Sequence, residues 1–80
     1  MQQATGNEET DVVTRERLDR LGMRVETQMS GRLRDFRLQW AKRGLVLRGQ
    51  ANSYYAKQLA QHAVMNATKL PILHNEIEVL

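Results

Sequence analysis

Eighty residues make room for one small domain, and a chain of this length buries only about 60% of the surface that it exposes when unfolded. The hydrophobic content is 41% without any run of 18 apolar residues, which indicates a globular domain and excludes a membrane-spanning helix. The absence of cysteine excludes a disulfide framework and a thiolate nucleophile, and the net charge of +3 is concentrated in residues 32–57, where seven Lys or Arg face Asp35 alone.

The first ten residues, MQQATGNEET, are polar and lack periodicity, which predicts a disordered tail over residues 1–10 with no export signal. We therefore expect a cytoplasmic protein if the chain is complete, and a periplasmic or envelope location if it is an excised domain. The domain itself, residues 11–80, begins with a helix whose expected N-cap is Thr10 or Asp11 and whose expected C′ residue is Gly31. The apolar stripe of this helix recurs at steps of three and four: Leu18, Leu21, Val25 and Met29.

The period of the pattern changes to two after Gly31, which predicts two strands. The inward residues of the first strand are Phe36, Leu38 and Trp40. The inward row of the second strand consists of Leu45, Leu47, Gly49 and Ala51. Residues 41–44 form a turn in which Gly44 is available for a positive φ, so the two strands are antiparallel neighbours.

Gly49 interrupts that inward row, where it has no side chain to bury and costs about 0.5–1 kcal/mol relative to alanine. One explanation is close packing, because a missing side chain would let the small-residue face of the following helix lie flush on the sheet. The other explanation is a β-bulge at this position. The residue pattern is compatible with both.

A second helix follows, capped by Asn52 or Ser53 and ended by Pro71. Its apolar stripe is mostly alanine: Ala56, Leu59, Ala60, Ala63, Val64 and Ala67. A third strand then has an inward row of Leu73, Ile77 and Val79. Its outward residues are polar: His74, Glu76 and Glu78.

The order of the elements predicts an α+β fold, a two-layer αββαβ sandwich with a three-stranded sheet and two helices on one face. Two strand orders fit this pattern, the mixed order 1-2-3 and the antiparallel order 2-1-3. If the second and third strands run parallel in one sheet, we expect the crossover between them to be right-handed.

Part of the pattern resembles the BON domain, a family named for bacterial osmotically inducible and nodulation proteins. The resemblance rests on six residues: Leu45, Leu47, Gly49, Asn75, Ile77 and Val79. They are similar to the family's pattern Val-x-Leu-x-Gly-x-Val, a helix, and then Val-x-Asn-x-Leu-x-Val. Residues 69–71, Lys-Leu-Pro, stand where the family commonly has Gly-Val. The resemblance implies an αββαβ fold and a non-enzymatic role, proposed for the family as phospholipid binding or attachment at membranes.

No residue pattern points to catalysis, and we expect no enzyme activity, no cofactor and no small-molecule substrate. The chain's two histidines, His62 and His74, have no Cys, Asp or Glu at metal-ligand spacing, and we expect both to be solvated. Gly44 and Gly49 have the glycine spacing of a phosphate-binding loop, but the Lys-Ser/Thr that must follow is missing.

The basic residues of the strands divide between a neutralised face and two free clusters. Arg37 and Arg48 share the outward parity of three acids, so we expect cross-strand ion pairs there: Asp35, Glu76 and Glu78. One free cluster, Lys42 and Arg43, lies at the hairpin tip. The other lies where the first strand meets the start of the second helix: Arg32, Arg34, Tyr54, Tyr55 and Lys57. A helix N-terminus binds phosphate and tyrosines suit a lipid headgroup zone.

The leading hypothesis from the sequence is a non-enzymatic binding module, resembling a BON domain, that associates weakly with anionic phospholipid or membrane surfaces. The alternative is a protein-interaction or homo-oligomerisation domain that uses an exposed sheet edge and has no lipid role. Nucleic-acid binding ranks below both, because the excess charge is only +3 and the aromatic residues of the strands are expected to face inward.

Overall fold

Helices and strands follow the predicted order in the computed structural model, which describes residues 14–80. The helices are α1 (Arg15–Gln28) and α2 (Tyr54–Ala67), and the strands are β1 (Leu33–Ala41), β2 (Gly44–Ala51), β3 (Ile72–Asn75) and β4 (Glu78–Val79). The tail predicted for residues 1–10 and the expected caps Thr10 and Asp11 lie outside the described residues.

Thr14 is the N-cap of α1, because its Oγ1 accepts a hydrogen bond from the Arg17 main-chain N–H at 3.3 Å. The helix ends at Met29, and the chain turns away through two left-handed residues, Ser30 (φ 53°) and Gly31 (φ 84°). The C′ position is therefore Ser30, one residue before the expected Gly31. Gly31 instead supplies the second consecutive positive φ that the reversal needs.

β2 is the central strand of a mixed, four-stranded sheet. β1 pairs with it antiparallel on one side, while β3 and β4 both pair with it parallel on the other side. The mixed order 1-2-3 is therefore confirmed, and the antiparallel order 2-1-3 is wrong. The predicted third strand is present as two short pieces, which is why the sheet has four strands instead of three.

The first irregularity in the predicted third strand is Leu73. Ile72 pairs with Leu45 and His74 pairs with Val46, so Leu73 is an extra residue between two consecutive partners on β2. The extra residue shifts the alternation, and Ile72 packs against the core while Leu73 is 45% exposed. The expectation that Leu73 belongs to the inward row is therefore wrong.

The second irregularity is the break between β3 and β4. The Ile77 main-chain N–H donates to Oδ1 of Asn75 at 3.2 Å, a side-chain hydrogen bond that replaces the regular strand at this point. Ile77 is fully buried as predicted, but Val79 is 43% exposed. The assignment of Val79 to the core is wrong, because the alternation does not continue through the break.

Gly49 faces a bulge in β1, and the atoms nearest to an added Cβ all belong to β1. Two residues of β1, Asp35 and Phe36, stand opposite Gly49 alone, between the regular pairs of the two strands. Gly49 has φ 147°, and a Cβ there would lie 2.9 Å from the Arg34 carbonyl oxygen and 3.1 Å from Phe36 Cα. A bulge at this point of the ladder is therefore confirmed, although its extra residue lies in β1 and not at Gly49. The explanation by close packing of the second helix is wrong, because the missing side chain would meet the β1 backbone first.

Gly44 is required by packing and not by a positive φ, contrary to the sequence expectation. In the two-residue turn, Lys42 has the left-handed conformation, at φ 56°. A Cβ on Gly44 would lie 2.6 Å from Leu73 Cγ and 3.2 Å from the Pro71 carbonyl oxygen. The glycine therefore lets β3 approach the start of β2, where the Leu45 main-chain N–H donates to that same Pro71 oxygen at 2.8 Å.

The core lies between the sheet and both helices, which cover the same face. One cluster joins the buried residues of all these layers: Leu18, Val25, Met29, Leu33, Phe36, Leu38, Leu45, Leu47, Ala51, Ala56, Ala60, Val64 and Ile77. Trp40 is only partly covered, at the end of β1, although it has the inward parity. Val46 has the outward parity but is buried, since it lies on the central strand between Gln39 and His74.

Candidate functional site

One end of the sandwich brings the start of β1, the end of β2 and the start of α2 together. Leu33 pairs with Ala51, and the Asn52 main-chain N–H donates to the Arg32 carbonyl oxygen at 3.1 Å. Arg32 is therefore held next to the residues that lead into α2. We call the resulting surface the basic corner: Arg32, Arg34, Tyr54, Tyr55 and Lys57. These are five of the seven residues that the sequence proposed for anion binding, and they lie at the same end of the sandwich, with Arg34 on the outer face of the sheet.

Ser53 starts α2 at the basic corner and was one of the two expected caps. Its Oγ accepts a hydrogen bond from the Ala56 main-chain N–H at 3.0 Å. Its carbonyl oxygen accepts a hydrogen bond from the Lys57 main-chain N–H at 3.1 Å. The first turn of α2 contains no acidic residue. The partial positive charge of the helix N-terminus is therefore not neutralised from within its own first turn.

Tyr54 and Tyr55 project into solvent from this turn, with 65% and 67% of their surface exposed. Lys57 is half-buried and lies three residues after Tyr54, so the two side chains share one face of the helix. Exposed tyrosines beside a cation form a surface with both an apolar and a hydrogen-bonding character.

Arg32 is fixed in place by the end of α1. Both its main-chain N–H and its side-chain Nε donate to the Met29 carbonyl oxygen, at 3.1 and 3.2 Å. A cation at a helix C-terminus is stabilised by the partial negative charge there. Arg34 pairs with Gln50 along the strand and is exposed. The corner thus has one arginine anchored to the end of α1, Arg32, and one that is exposed on β1, Arg34.

Two exposed apolar residues next to the basic corner were missed by the sequence reasoning. Val79 pairs with Ala51, and the Leu80 main-chain N–H donates to the Ala51 carbonyl oxygen at 3.0 Å. Both side chains are exposed and flank the chain just before α2. The signal that could have found them is Asn75, because an asparagine two residues before Ile77 can accept from its N–H and end the alternation.

Lys42 and Arg43, the other two proposed residues, are not part of this surface. They form the turn at the far end of β1, a strand of nine residues. At about 3.3 Å per residue the turn lies roughly 25–30 Å from the basic corner. The structure therefore places the predicted anion-binding residues in two separate regions.

The outer face of the sheet is neutralised only in part. Arg48 Nη1 lies 2.7 Å from Glu76 Oε1, and Arg48 Nε donates to Gln39 Oε1 at 2.6 Å, so one predicted cross-strand ion pair is confirmed. Arg37 pairs directly with Arg48 along the strands. Within residues 14–80, Arg37, Asp35 and Glu78 have no ion pair within 4.0 Å, so their expected neutralisation is wrong.

His62 and His74 are both exposed, as predicted. Among the described residues, no group of three or more His, Cys, Asp or Glu is arranged to hold a metal ion. None of the helices in residues 14–80 is long and apolar enough to cross a membrane. Comparisons of the chain with protein-family models, with curated proteins and with solved structures found no match. The resemblance to the BON family therefore stays a prediction.

Proposed function

We propose that this chain is a non-enzymatic binding module, resembling a BON domain, that associates weakly with anionic phospholipid surfaces through the basic corner. The observation that carries the proposal is the exposure of Tyr54 and Tyr55 beside Lys57, at a helix start without acidic residues whose lead-in chain is hydrogen-bonded to Arg32. Val79 and Leu80 add exposed apolar surface at the same end.

The chemistry of the corner suits the boundary between lipid headgroups and acyl chains. Tyrosine places its ring in the apolar part of that boundary and its hydroxyl group in the wet part. The cations attract anionic headgroups, each contributing on the order of 1 kcal/mol near the surface. Three cations would give about 3 kcal/mol, which corresponds to binding weaker than about 1 mM from charge alone. A single copy therefore binds weakly unless it is tethered or oligomeric.

Two residues of the BON-like motif have structural roles that support the resemblance. The bulge brings the β1 backbone against Gly49, so a side chain at this position would meet that backbone. Asn75 bonds to Lys57 and Gln61 of α2, so it connects β3 with the helix. Each of these two positions therefore requires the residue type that the motif has.

Sedimentation with vesicles tests the proposal. We expect more protein to sediment with phosphatidylglycerol vesicles than with phosphatidylcholine vesicles at low salt, and the difference to disappear at high salt. The double variant Arg34→Gln with Lys57→Gln should lower the bound fraction several-fold while leaving the Arg32 contact with Met29 intact. The matched control, Lys42→Gln with Arg43→Gln, removes the same charge at the hairpin tip and should bind like the unmodified chain. Equal sedimentation with both lipids, or equal loss in both variants, would refute the proposal.

A second candidate function is self-association through β1. In the described part of the chain β1 pairs only with β2, so its other edge is unpaired over nine residues. The bulge at Asp35 and the exposed Arg34 and Arg37 oppose edge-to-edge pairing, which ranks this candidate second. Light scattering at high protein concentration tests it, and a strictly monomeric mass would remove it.

A further inference from the structure

A groove of about 840 Å³ runs between α1 and the segment that follows α2. Its apolar lining includes Leu18 and Leu21 of α1, Leu70 from the other side and the exposed Met23. Three exposed arginines of α1 also line it: Arg17, Arg20 and Arg24. The sequence pattern indicated only the apolar stripe of this helix and no binding surface on it.

The described residues that line the groove give it a positive charge. None of these described residues is acidic. Arg20 lies 3.8 Å from Glu16, and both side chains are mostly exposed, so this pair neutralises little in water. Within residues 14–80, Arg17 and Arg24 have no ion pair within 4.0 Å. An anionic and partly apolar occupant is complementary to these residues.

The spacing of the arginines indicates the shape of that occupant. Positions 17, 20 and 24 recur at steps of three and four, so their side chains follow one face of α1 over about 10 Å. A second helix lying along α1 can offer carboxylates at the same spacing, with its apolar side chains between them. A flat bilayer does not enter a groove between two walls, whereas the side chains of one helix do.

The groove is separate from the basic corner. The C-terminal residue of α2, Ala67, lines it, whereas Tyr54 at the other end of α2 belongs to the corner. A helix of 14 residues spans about 20 Å, so one ligand of small size cannot occupy both places. The two surfaces can therefore be tested independently of each other.

We propose that the groove docks an acidic amphipathic α-helix of a partner protein. The partner's carboxylates pair with Arg17, Arg20 and Arg24, and its apolar face packs against Leu21, Leu70 and Met23. This is the helix-in-groove mode of recognition, in which charge selects the partner and apolar contact holds it.

The probe is a fluorescent, helix-favouring peptide of Ala, Leu and Glu that carries glutamates at i, i+3 and i+7 and leucines on the adjacent face. Its controls are the same peptide with Lys for every Glu and a scrambled peptide. Fluorescence anisotropy with the full chain should show saturable binding of the acidic peptide alone. Arg24→Glu should weaken that binding about three- to tenfold, because a favourable ion pair becomes a repulsive one. High salt should weaken it as well.

Further variants distinguish peptide binding in this groove from a general effect of the protein's charge. Arg37→Glu makes the same charge change on the exposed outer face of the sheet and should leave peptide binding within about twofold. Met23→Ser removes exposed apolar surface without disturbing the core, and should weaken binding by about three- to fivefold. The double variant Arg34→Gln with Lys57→Gln, which removes two charges from the basic corner, should not change the binding of the acidic peptide.

Three results would overturn the proposal. The acidic peptide could bind no better than the scrambled one, or Arg37→Glu could reduce binding as much as Arg24→Glu does. Alternatively, Arg24→Glu could abolish sedimentation with phosphatidylglycerol vesicles while the peptide does not bind, which would assign the groove to lipid. The first two of these results do not depend on whether the chain binds vesicles.

Discussion

The side-chain amide of Asn75 donates a hydrogen bond to the main-chain carbonyl oxygen of Lys57 at 3.1 Å, which joins the end of β3 to the first turn of α2. The same Nδ2 donates to Gln61 Oε1 at 3.1 Å, and the Asn75 Oδ1 accepts from the Ile77 main-chain N–H. One half-buried side chain therefore sets both the position of α2 over the sheet and the break that exposes Val79.

Replacing Asn75 should destabilise the fold. Asn75→Ala removes all three hydrogen bonds and should lower the free energy of unfolding by about 2–3 kcal/mol, because partly buried polar groups lose their partners. Asn75→Asp keeps the acceptor for Ile77 but loses both donors, and places a carboxylate against two oxygen acceptors. We expect it to be at least as destabilising at neutral pH. Urea unfolding followed by the fluorescence of Trp40 measures both values.

Asn66→Ala is the matched control for Asn75, since Asn66 is exposed on α2. Its effect should stay within about 0.5 kcal/mol. If Asn75→Ala were as mild as Asn66→Ala, the hydrogen bonds of Asn75 would not be holding α2 in place.

Gly49→Ala tests the bulge in β1. The new Cβ would lie 2.9 Å from a backbone oxygen, at a φ of 147° that alanine rarely adopts. We expect a loss of about 3 kcal/mol or more in the free energy of unfolding. Gly31→Ala is the control, because Gly31 also has a positive φ but has no atom within 4 Å of its added Cβ, so it should cost about 1 kcal/mol. Equal losses at the two glycines would contradict the steric role of the bulge.

Gly44→Ala should be destabilising through Leu73 in particular. The added Cβ would lie 2.6 Å from Leu73 Cγ, a distance that no relaxed structure keeps. Leu73 is 45% exposed, so Leu73→Ala alone should cost little, and it should relieve part of the clash. A double-mutant cycle by urea unfolding should therefore give a coupling energy of about 1 kcal/mol. Additive effects would show that Leu73 does not constrain Gly44.

The regular parts of the fold could be predicted from the sequence because their signals are local. The helical stripe of α1, the capping serine of α2 and the alternation through Phe36 and Leu38 each depend on residues within a few positions. Gly49 was recognised as unusual, but the reason for it is the bulge at Asp35 on the neighbouring strand. The residue pattern of β2 does not predict a bulge in β1.

The third strand shows most clearly which features of the fold the sequence pattern does not predict. An alternation through Leu73, Ile77 and Val79 predicts one regular strand, yet the extra residue at Leu73 and the Asn75 side-chain bond divide it. The extra residue at Leu73 lies against Gly44, a distant part of the chain, whereas the break is made by a local bond between Asn75 and Ile77. Neither irregularity can be derived from periodicity.

The basic corner could be predicted because charge is visible in the sequence and the expected strand pairing brings Arg32 close to Tyr54. Val79 was missed because it was assigned to the core, and the α1 groove was missed because its wall comes from Leu70, outside both helices. A groove is a property of packing between elements. Single-element patterns do not predict it.

A residue-resolved NMR titration with anionic and with zwitterionic micelles tests whether the basic corner is the lipid-binding surface. We expect anionic micelles to shift the amide signals of Arg32, Arg34, residues 52–57 and residues 79–80, to leave Lys42 and Arg43 unchanged, and to act more weakly as salt is added. Equal shifts with both kinds of micelle, or shifts centred on the hairpin tip, would contradict the assignment of lipid binding to this corner.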